Sequence, residues 1–275
     1  MLLPRLLTGI LGGALLLGVI HMGGLPFFLV ILGISLVALR EFYELCRSTG
    51  YATSPVIGLI GGFLLTGSVF LNGVSWGAIT DNQGSAFLLA IVILALALQG
   101  LKRGPADTRL SEWSVTLFGM LLVSGSLAHL ILLRDLRPFG QAATFMLFAM
   151  IWSADTFAYI VGMRWGKHHL ATAISPKKTW EGFFAGTLGS VLSGTLFHVF
   201  YFKGSLGWTE TIVLSVFVAV IALASDLFES LIKRGADAKD SSQLLPGHGG
   251  LLDRFDSFLL AAPFYYYYFA FFKHG

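Results

Sequence analysis

The feature that most constrains this chain is a succession of apolar runs, each close to the ~17 to 25 residues that a helix needs to cross ~30 Å of hydrocarbon. They fall near 5–20, 25–45, 56–72, 85–101, 113–133, 142–162, 182–201, 210–227 and 257–272. An unpaired backbone group in lipid costs several kcal/mol, so only helices or a closed barrel can span. These runs are continuously apolar and lack the alternation of roughly ten-residue barrel strands. The expected fold is all-α: a polytopic integral membrane protein of about nine transmembrane helices.

Composition agrees. Hydrophobic residues make up 55% of the 275 positions and charged residues 12%, whereas a soluble domain usually carries about a quarter charged residues. That excludes a soluble α/β enzyme. The net charge of +3 does not point to nucleic acid, because basic residues in so apolar a chain mark cytoplasmic loop ends. Cys46 has no partner for a disulfide or a CxxC site. The first run follows Arg5, but His21-Met22-Gly23-Gly24 is not a small-x-small cleavage site, so it is expected to be retained as a helix. No linker, charged tail or repeat interrupts the chain, so one membrane domain over 1–275 is expected, with a helical part (1–140) and a part carrying the chemistry (141–275).

Orientation follows from the basic residues. With a cytoplasmic N-terminus and nine spans, fourteen of the eighteen Lys and Arg fall inside, leaving Arg134, Arg137, Lys203 and Lys273 outside. The positive-inside rule therefore places the N-terminus in the cytoplasm and the C-terminus outside. Both strongly charged loops are then cytoplasmic. The tyrosines at 265–268 read as an interfacial belt, and His129 and His198 as packed or hydrogen-bonded groups within apolar helices.

Chemistry concentrates between 226 and 256. These 31 positions hold ten of the 33 charged residues: Asp226, Glu229, Lys233, Arg234, Asp237, Lys239, Asp240, Asp253, Arg254 and Asp256. Asp226 ends an apolar helix, where a carboxylate without a partner costs roughly 2.5 to 3.5 kcal/mol at mid-bilayer and less near the interface. Asp226, Glu229 and Lys233 share one face if the helix continues, and Asp253 and Asp256 share another at the start of the last helix. Oxygen ligands from two helix ends suit Mg²⁺, which takes a few carboxylates and completes its shell with water and substrate phosphate. The expected metal ligands are Asp226, Asp253 and Asp256. Between them, Pro246-Gly247-His248-Gly249-Gly250 forms a turn whose glycines let backbone N–H groups approach an anion.

The second charged loop repeats the theme. Asp155 lies in an apolar span with Tyr159 one turn later, and Lys167, His168 and His169 follow. In Ser175-Pro176-Lys177-Lys178-Thr179-Trp180-Glu181-Gly182, Ser175 and Thr179 can cap a helix or bond phosphate, and Lys177 and Lys178 supply charge for a polyanion. The adjacent histidines lack the spacing of a zinc site.

The segment from Ser230 through Lys233-Arg234, Lys239-Asp240, Pro246-Gly-His248-Gly249-Gly250, Asp253-Arg254-Phe-Asp256 to Ser257 resembles the defining motif of the phosphatidate cytidylyltransferases, or CDP-diacylglycerol synthases. Asp155-Thr-x-Ala-Tyr159-x-x-Gly162, followed by Ser175-Pro-Lys-Lys-Thr179-x-Glu181-Gly182, is similar to that family's upstream element. The resemblance covers residues 145 to 260, and the N-terminal half adds only hydrophobic compatibility. Thr172 stands where the family usually has proline, and Ser225 where glycine is common before the aspartate.

The resemblance implies transfer of CMP from CTP to phosphatidate, giving CDP-diacylglycerol and pyrophosphate, with Mg²⁺ as cofactor and a second cation, monovalent ions included, left open. It implies catalytic roles for Asp226, Asp253, Asp256, Lys239 and Asp240. Substrate contacts fall to Asp155, Tyr159, Ser175, Lys177, Lys178, Thr179, Glu181, Lys233, Arg234, His248, Gly249, Gly250 and Arg254. Its setting is the cell's inner (plasma) membrane, among membrane lipid, with the active site facing the cytoplasm; homodimer formation is left open. Two alternatives are weighed against it. A CTP-dependent polyprenol kinase would release CDP, and a secondary transporter would use the intramembrane acids, although its inverted halves would spread them along the chain. The CDP-alcohol phosphotransferases are set aside because their DGxxAR element is absent.

Overall fold

The computed structural model describes residues 2–73, 83–202, 204–244 and 249–272. Helices dominate: α1 Leu2–Met22, α2 Gly24–Ser48, α3 Pro55–Gly73, α4 Gln83–Arg103, α5 Arg109–Gly119, α6 Ser126–Asp135, α7 Gly140–Trp165, α8 Trp180–Phe197, α9 Trp208–Gly235 and α10 Leu252–Phe272. Every expected apolar run lies in helical structure. Two runs contain a wider π-helical turn, Met120–Gly125 joining α5 to α6, and His198–Phe202 following α8. Five helical rods are long and apolar enough to cross a membrane: Gly24–Ser48, Arg109–Asp135, Gly140–Trp165, Trp180–Phe202 and Trp208–Gly235. Leu11–Met22 and Pro55–Leu71 are shorter apolar stretches. The protein is thus an all-α polytopic membrane protein.

One departure is a small antiparallel hairpin of β1 (His169–Ala171) and β2 (Ser175–Thr179), pairing His169 with Thr179 and Ala171 with Ser175. Pro176 explains part of it, since a residue before proline is biased out of the helical region toward extended backbone. Ser175 is therefore extended, and the helix starts only after Thr179. The threonine hydroxyl then accepts the Gly182 N–H at 3.2 Å and caps α8.

The chain divides into two compact units, Met1–Asp135 with Gly235–Phe255, and Leu136–Arg234 with Asp256–Gly275. In the first, α2 packs on α3 and α6. Arg134 of α6 donates to the carbonyls of Ile20 (2.6 Å) and His21 (3.1 Å), satisfying acceptors that the end of α1 leaves open. Gly23, at φ 65°, makes this approach workable, because a Cβ there would stand 2.6 Å from the Arg134 guanidinium. Buried Glu112 in α5 accepts from Arg109 at 2.8 Å, Arg103 at 3.1 Å and Ser54 at 2.6 Å, tying the ends of α3, α4 and α5 together.

In the second unit, α7 and α8 lie backbone against backbone. A Cβ on Gly186 would meet the Ala154 carbonyl at 2.7 Å, and one on Gly182 the Ala158 carbonyl at 2.9 Å. Small residues one turn apart allow this approach where lipid gives no hydrophobic drive for association. Across it, the Ser153 and Ser193 hydroxyls are 2.9 Å apart. Phe148 of α7 packs on Phe258 of α10, with ring centroids 4.5 Å apart.

Candidate active site

Two groups of signature residues are built separately, one in each unit. In the second unit, α7 supplies Asp155 and Tyr159, β2 supplies Lys177, Lys178 and Thr179, and α9 supplies Asp226 around a cavity of about 310 Å³. Leu170, Phe183, Ala219, Ala222 and Leu223 also line it. The cavity is therefore lined by both charged and apolar side chains. That follows from the sequence: α8 begins directly after the Lys-Lys pair, so the basic residues sit one turn from apolar helix.

The lysine-bearing hairpin meets the C-terminal part of α9 here. Lys178 Nζ stands 2.6 Å from Asp226 Oδ2, with both side chains largely shielded at 21% and 28% exposure. Arg234, at the end of α9, donates its Nε proton to the Ile174 carbonyl in the hairpin turn at 3.1 Å. Because α9 continues to Gly235, Asp226, Glu229 and Lys233 do share a face. Glu229 and Lys233 form a buried ion pair at 2.5 Å, and Ser230 donates to Asp226 at 3.3 Å.

Asp256 is near enough to Asp226, Glu229 and Asp155 to feel their charge. Its main-chain carbonyl accepts from Ser225 Oγ, and the Ser225 hydroxyl oxygen in turn accepts the Leu260 N–H at 3.1 Å. Asp256 and Leu260 are an i, i+4 pair, so the serine hydroxyl is inserted into the ladder of α10 one turn from the carboxylate-bearing residue. A glycine at 225 would have no group to insert. Glu181 turns toward the loop entry, accepting the His168 N–H at 3.2 Å and pairing with His168 Nδ1 at 2.6 Å. Ser175 begins β2, and exposed Lys177 reaches the cavity.

The first unit holds the rest. Asp253 Oδ2 accepts from Ser241 N (2.9 Å), Ser241 Oγ (3.0 Å) and Gly250 N (2.8 Å). The last bond spans three residues, as in a capping box, from the second residue of α10 back to the turn before it. Gly249 has φ 78°, and a Cβ there would stand 2.6 Å from Asp253 Oδ2. Lys239, Asp240 and Arg254 are exposed on the same unit, and His248 lies outside the described residues. The structure therefore gathers Asp155, Asp226, Glu229 and Asp256 in one unit, while Asp253 is engaged by the glycine turn of the other.

Sequence reasoning missed Glu41 of α2, whose carboxylate accepts from four donors in the 241–252 segment. The available signal was an acid at helical spacing from Ala38 and Leu45, on the buried side of α2.

Among the described residues, no three His, Cys, Asp or Glu side chains form a ready metal cage. The acids around Asp256 are hard oxygen donors, the kind Mg²⁺ takes one or two at a time.

Comparison with known proteins places this arrangement. Residues 3–272 match the model of the cytidylyltransferase family. The phosphatidate cytidylyltransferase of Bacillus subtilis is 33% identical over 269 residues, 98% of each chain. That of a Synechocystis species is 32% identical over 284 residues, covering 96% of this chain and 95% of the relative. That of Brucella abortus is 34% identical over 262 residues, covering 95% and 91%.

Proposed function

This chain belongs to the cytidylyltransferase family, and from that premise we propose that it transfers CMP from CTP to phosphatidate, forming CDP-diacylglycerol and pyrophosphate. The observation that carries the reading is the cavity of the second unit, where Lys177, Lys178, Asp155 and Asp226 face the same space as Leu170, Phe183 and Leu223. A phosphomonoester on two acyl chains has that combination of charge and apolar surface.

In the reaction, a phosphate oxygen of phosphatidate attacks the α-phosphorus of CTP in line. The bond to the β-phosphate oxygen breaks, and pyrophosphate leaves with the electron pair. The nucleophile is already an anion, so no strong protein base is required. The task is to hold two polyanions together. Lys177 and Lys178 are placed to neutralise phosphate entering the cavity, and approach of a substrate anion would draw Lys178 from Asp226. Arg234 extends the positive charge at the end of α9, where Lys233 is balanced by Glu229 and would bind phosphate only on release from it, and Lys239 and Arg254 do so in the glycine-turn segment. Asp155 and Tyr159 line the α7 wall, and Thr179 and Glu181 fix the hairpin and the start of α8.

Mg²⁺ fits the oxygen-rich donor set, with Asp226 and Asp256 as the residues that would hold it and Asp253 oriented by Ser241 and Gly250. The ion, when bound, supplies charge neutralisation for the phosphates and the leaving group. Asp240 stands beside the same turn as an orienting acid.

The charge asymmetry of the loops supports a cytoplasmic N-terminus, an external C-terminus and a site open to both cytoplasm and inner leaflet. The deciding assay offers purified protein phosphatidate in detergent with CTP labelled at either the α- or the γ-phosphorus. Entry of the α label into the lipid phase is expected. Entry of the γ label alone would identify a lipid kinase, and labelling by neither would sink the reading.

A further inference from the structure

Glu41 is only 3% exposed, yet none of the chemistry above uses it. Four donors close on its carboxylate. Ser242 Oγ lies 2.6 Å and Leu251 N 3.2 Å from Oε1, and Leu252 N lies 2.8 Å and Ser241 Oγ 3.2 Å from Oε2. A carboxylate offers about four lone-pair sites, so this set uses its whole capacity.

Two of these donors are main-chain amides at the start of α10, among those that a helix leaves without internal partners. An anion at that end is also favoured by the helix dipole. The glycine turn gives an independent sign of the same contact. A Cβ on Gly250 would collide with both Ser241 Oγ and the Glu41 carboxylate. A side chain at 250 would therefore displace Ser241 and the Glu41 carboxylate from the places they hold beside the Gly249-Gly250 pair. Ser241 Oγ has one proton and stands within reach of both Glu41 and Asp253, at 3.2 and 3.0 Å, so it can donate to either carboxylate but to one at a time.

We propose that Glu41 is a positioning residue for nucleotidyl transfer, resting on the cytidylyltransferase reading above. It acts from the N-terminal half of the chain by fixing Ser241, Ser242 and the first turn of α10 in one conformation. Asp240, Asp253 and Arg254 are thereby presented to the polyphosphate of CTP. Replacement by glutamine keeps the volume but puts an NH₂ group among four donors, so at least one of those donors loses its acceptor. The hydrophobic contacts of α2 are untouched.

The test compares wild type with Glu41→Gln by steady-state kinetics and by amide hydrogen exchange on the full-length protein in detergent. Glu41→Gln should raise the apparent KM for CTP about tenfold or more while leaving that for phosphatidate within about twofold. Exchange at Leu251 and Leu252 should accelerate by about tenfold, with the rest of α2 unchanged. A residue that only packs would alter both KM values together or neither, and either result overturns the proposal, as does unchanged exchange at 251 and 252. If Glu41→Gln does not fold, Ser242→Ala removes a single donor, and a CTP-selective rise of about threefold is the corresponding expectation. An equal effect of Ser242→Ala on both substrates overturns it. A wild-type protein that forms no CDP-diacylglycerol refutes the reaction reading instead, while exchange in Glu41→Gln still decides whether the contact holds the segment.

Discussion

Replacing Asp226 by asparagine separates the structural from the chemical use of that carboxylate. The substitution conserves volume and leaves an oxygen to accept from Ser230, now 3.3 Å away, but it removes the charge facing Lys178 at 2.6 Å. A hydrogen bond to a charged group contributes about 1.5 to 3 kcal/mol, and partial exposure of both side chains moves this toward about 1 kcal/mol. Relief of repulsion with Asp256 offsets part of the loss. The fold should therefore survive. If Asp226 holds the Mg²⁺ that would stabilise the phosphates, its replacement forfeits that stabilisation, which is worth about 100- to 1,000-fold in turnover, or about 2.7 to 4 kcal/mol, so the effect on activity should exceed that on stability. CDP-diacylglycerol formation at saturating Mg²⁺, read beside thermal unfolding in detergent, measures both. The double variant Asp226→Asn with Lys178→Met removes the stranded ammonium as well. It should recover no activity, because the missing function is the carboxylate. Near-normal turnover of folded Asp226→Asn would remove this residue from the site, and recovery in the double variant would reduce its role to an ion pair.

Lys177→Ala should raise the apparent KM for CTP, with or without that for phosphatidate, if the two charged loops share one polyphosphate site. A rise for phosphatidate alone would show instead that the loops divide the substrates. Gly186→Leu should cost about 1 to 3 kcal/mol of stability by forcing α7 from α8, measured as earlier thermal unfolding; an unchanged transition would contradict the close approach to the Ala154 carbonyl. For orientation, Gln243→Cys on a Cys46→Ala background should resist an impermeant thiol reagent in intact cells and react in opened membranes, whereas Arg137→Cys should react in both. Labelling of Gln243→Cys in intact cells would invert the topology.

The helices were legible because lipid admits so few solutions. Long apolar runs had to become helices whatever their internal propensities, and each did. The Asp226, Glu229 and Lys233 face was readable for the same reason, since helical spacing alone sets it once α9 continues. The hairpin of β1 and β2 was not anticipated, because its three- and five-residue strands are too short for a periodic signal. The π-helical turns were equally hidden, as they add a residue to a turn without altering the apolar character of a run.

Ser225 and Glu41 mark where pattern reading stops, because each acts on backbone distant in sequence. Ser225 stands where the resembling family commonly has glycine, and sequence alone showed only a changed side chain. Its hydroxyl engages the Asp256 carbonyl and the Leu260 amide in α10, so the substitution alters the helix carrying a signature carboxylate. Glu41 lies in a segment that looked merely hydrophobic. Once its four donors are known, the segment 241–252 ceases to be a self-contained motif: part of its hydrogen bonding is supplied by α2. The glycine at 250 then has a second reason to be glycine, beyond any approach of phosphate. The Gly250 amide is taken by Asp253 and those of Leu251 and Leu252 by Glu41, so these backbone donors are committed within the protein. A turn whose donors are shared between Asp253 and Glu41 tolerates little change, and α2 of the N-terminal half thereby takes part in setting its conformation.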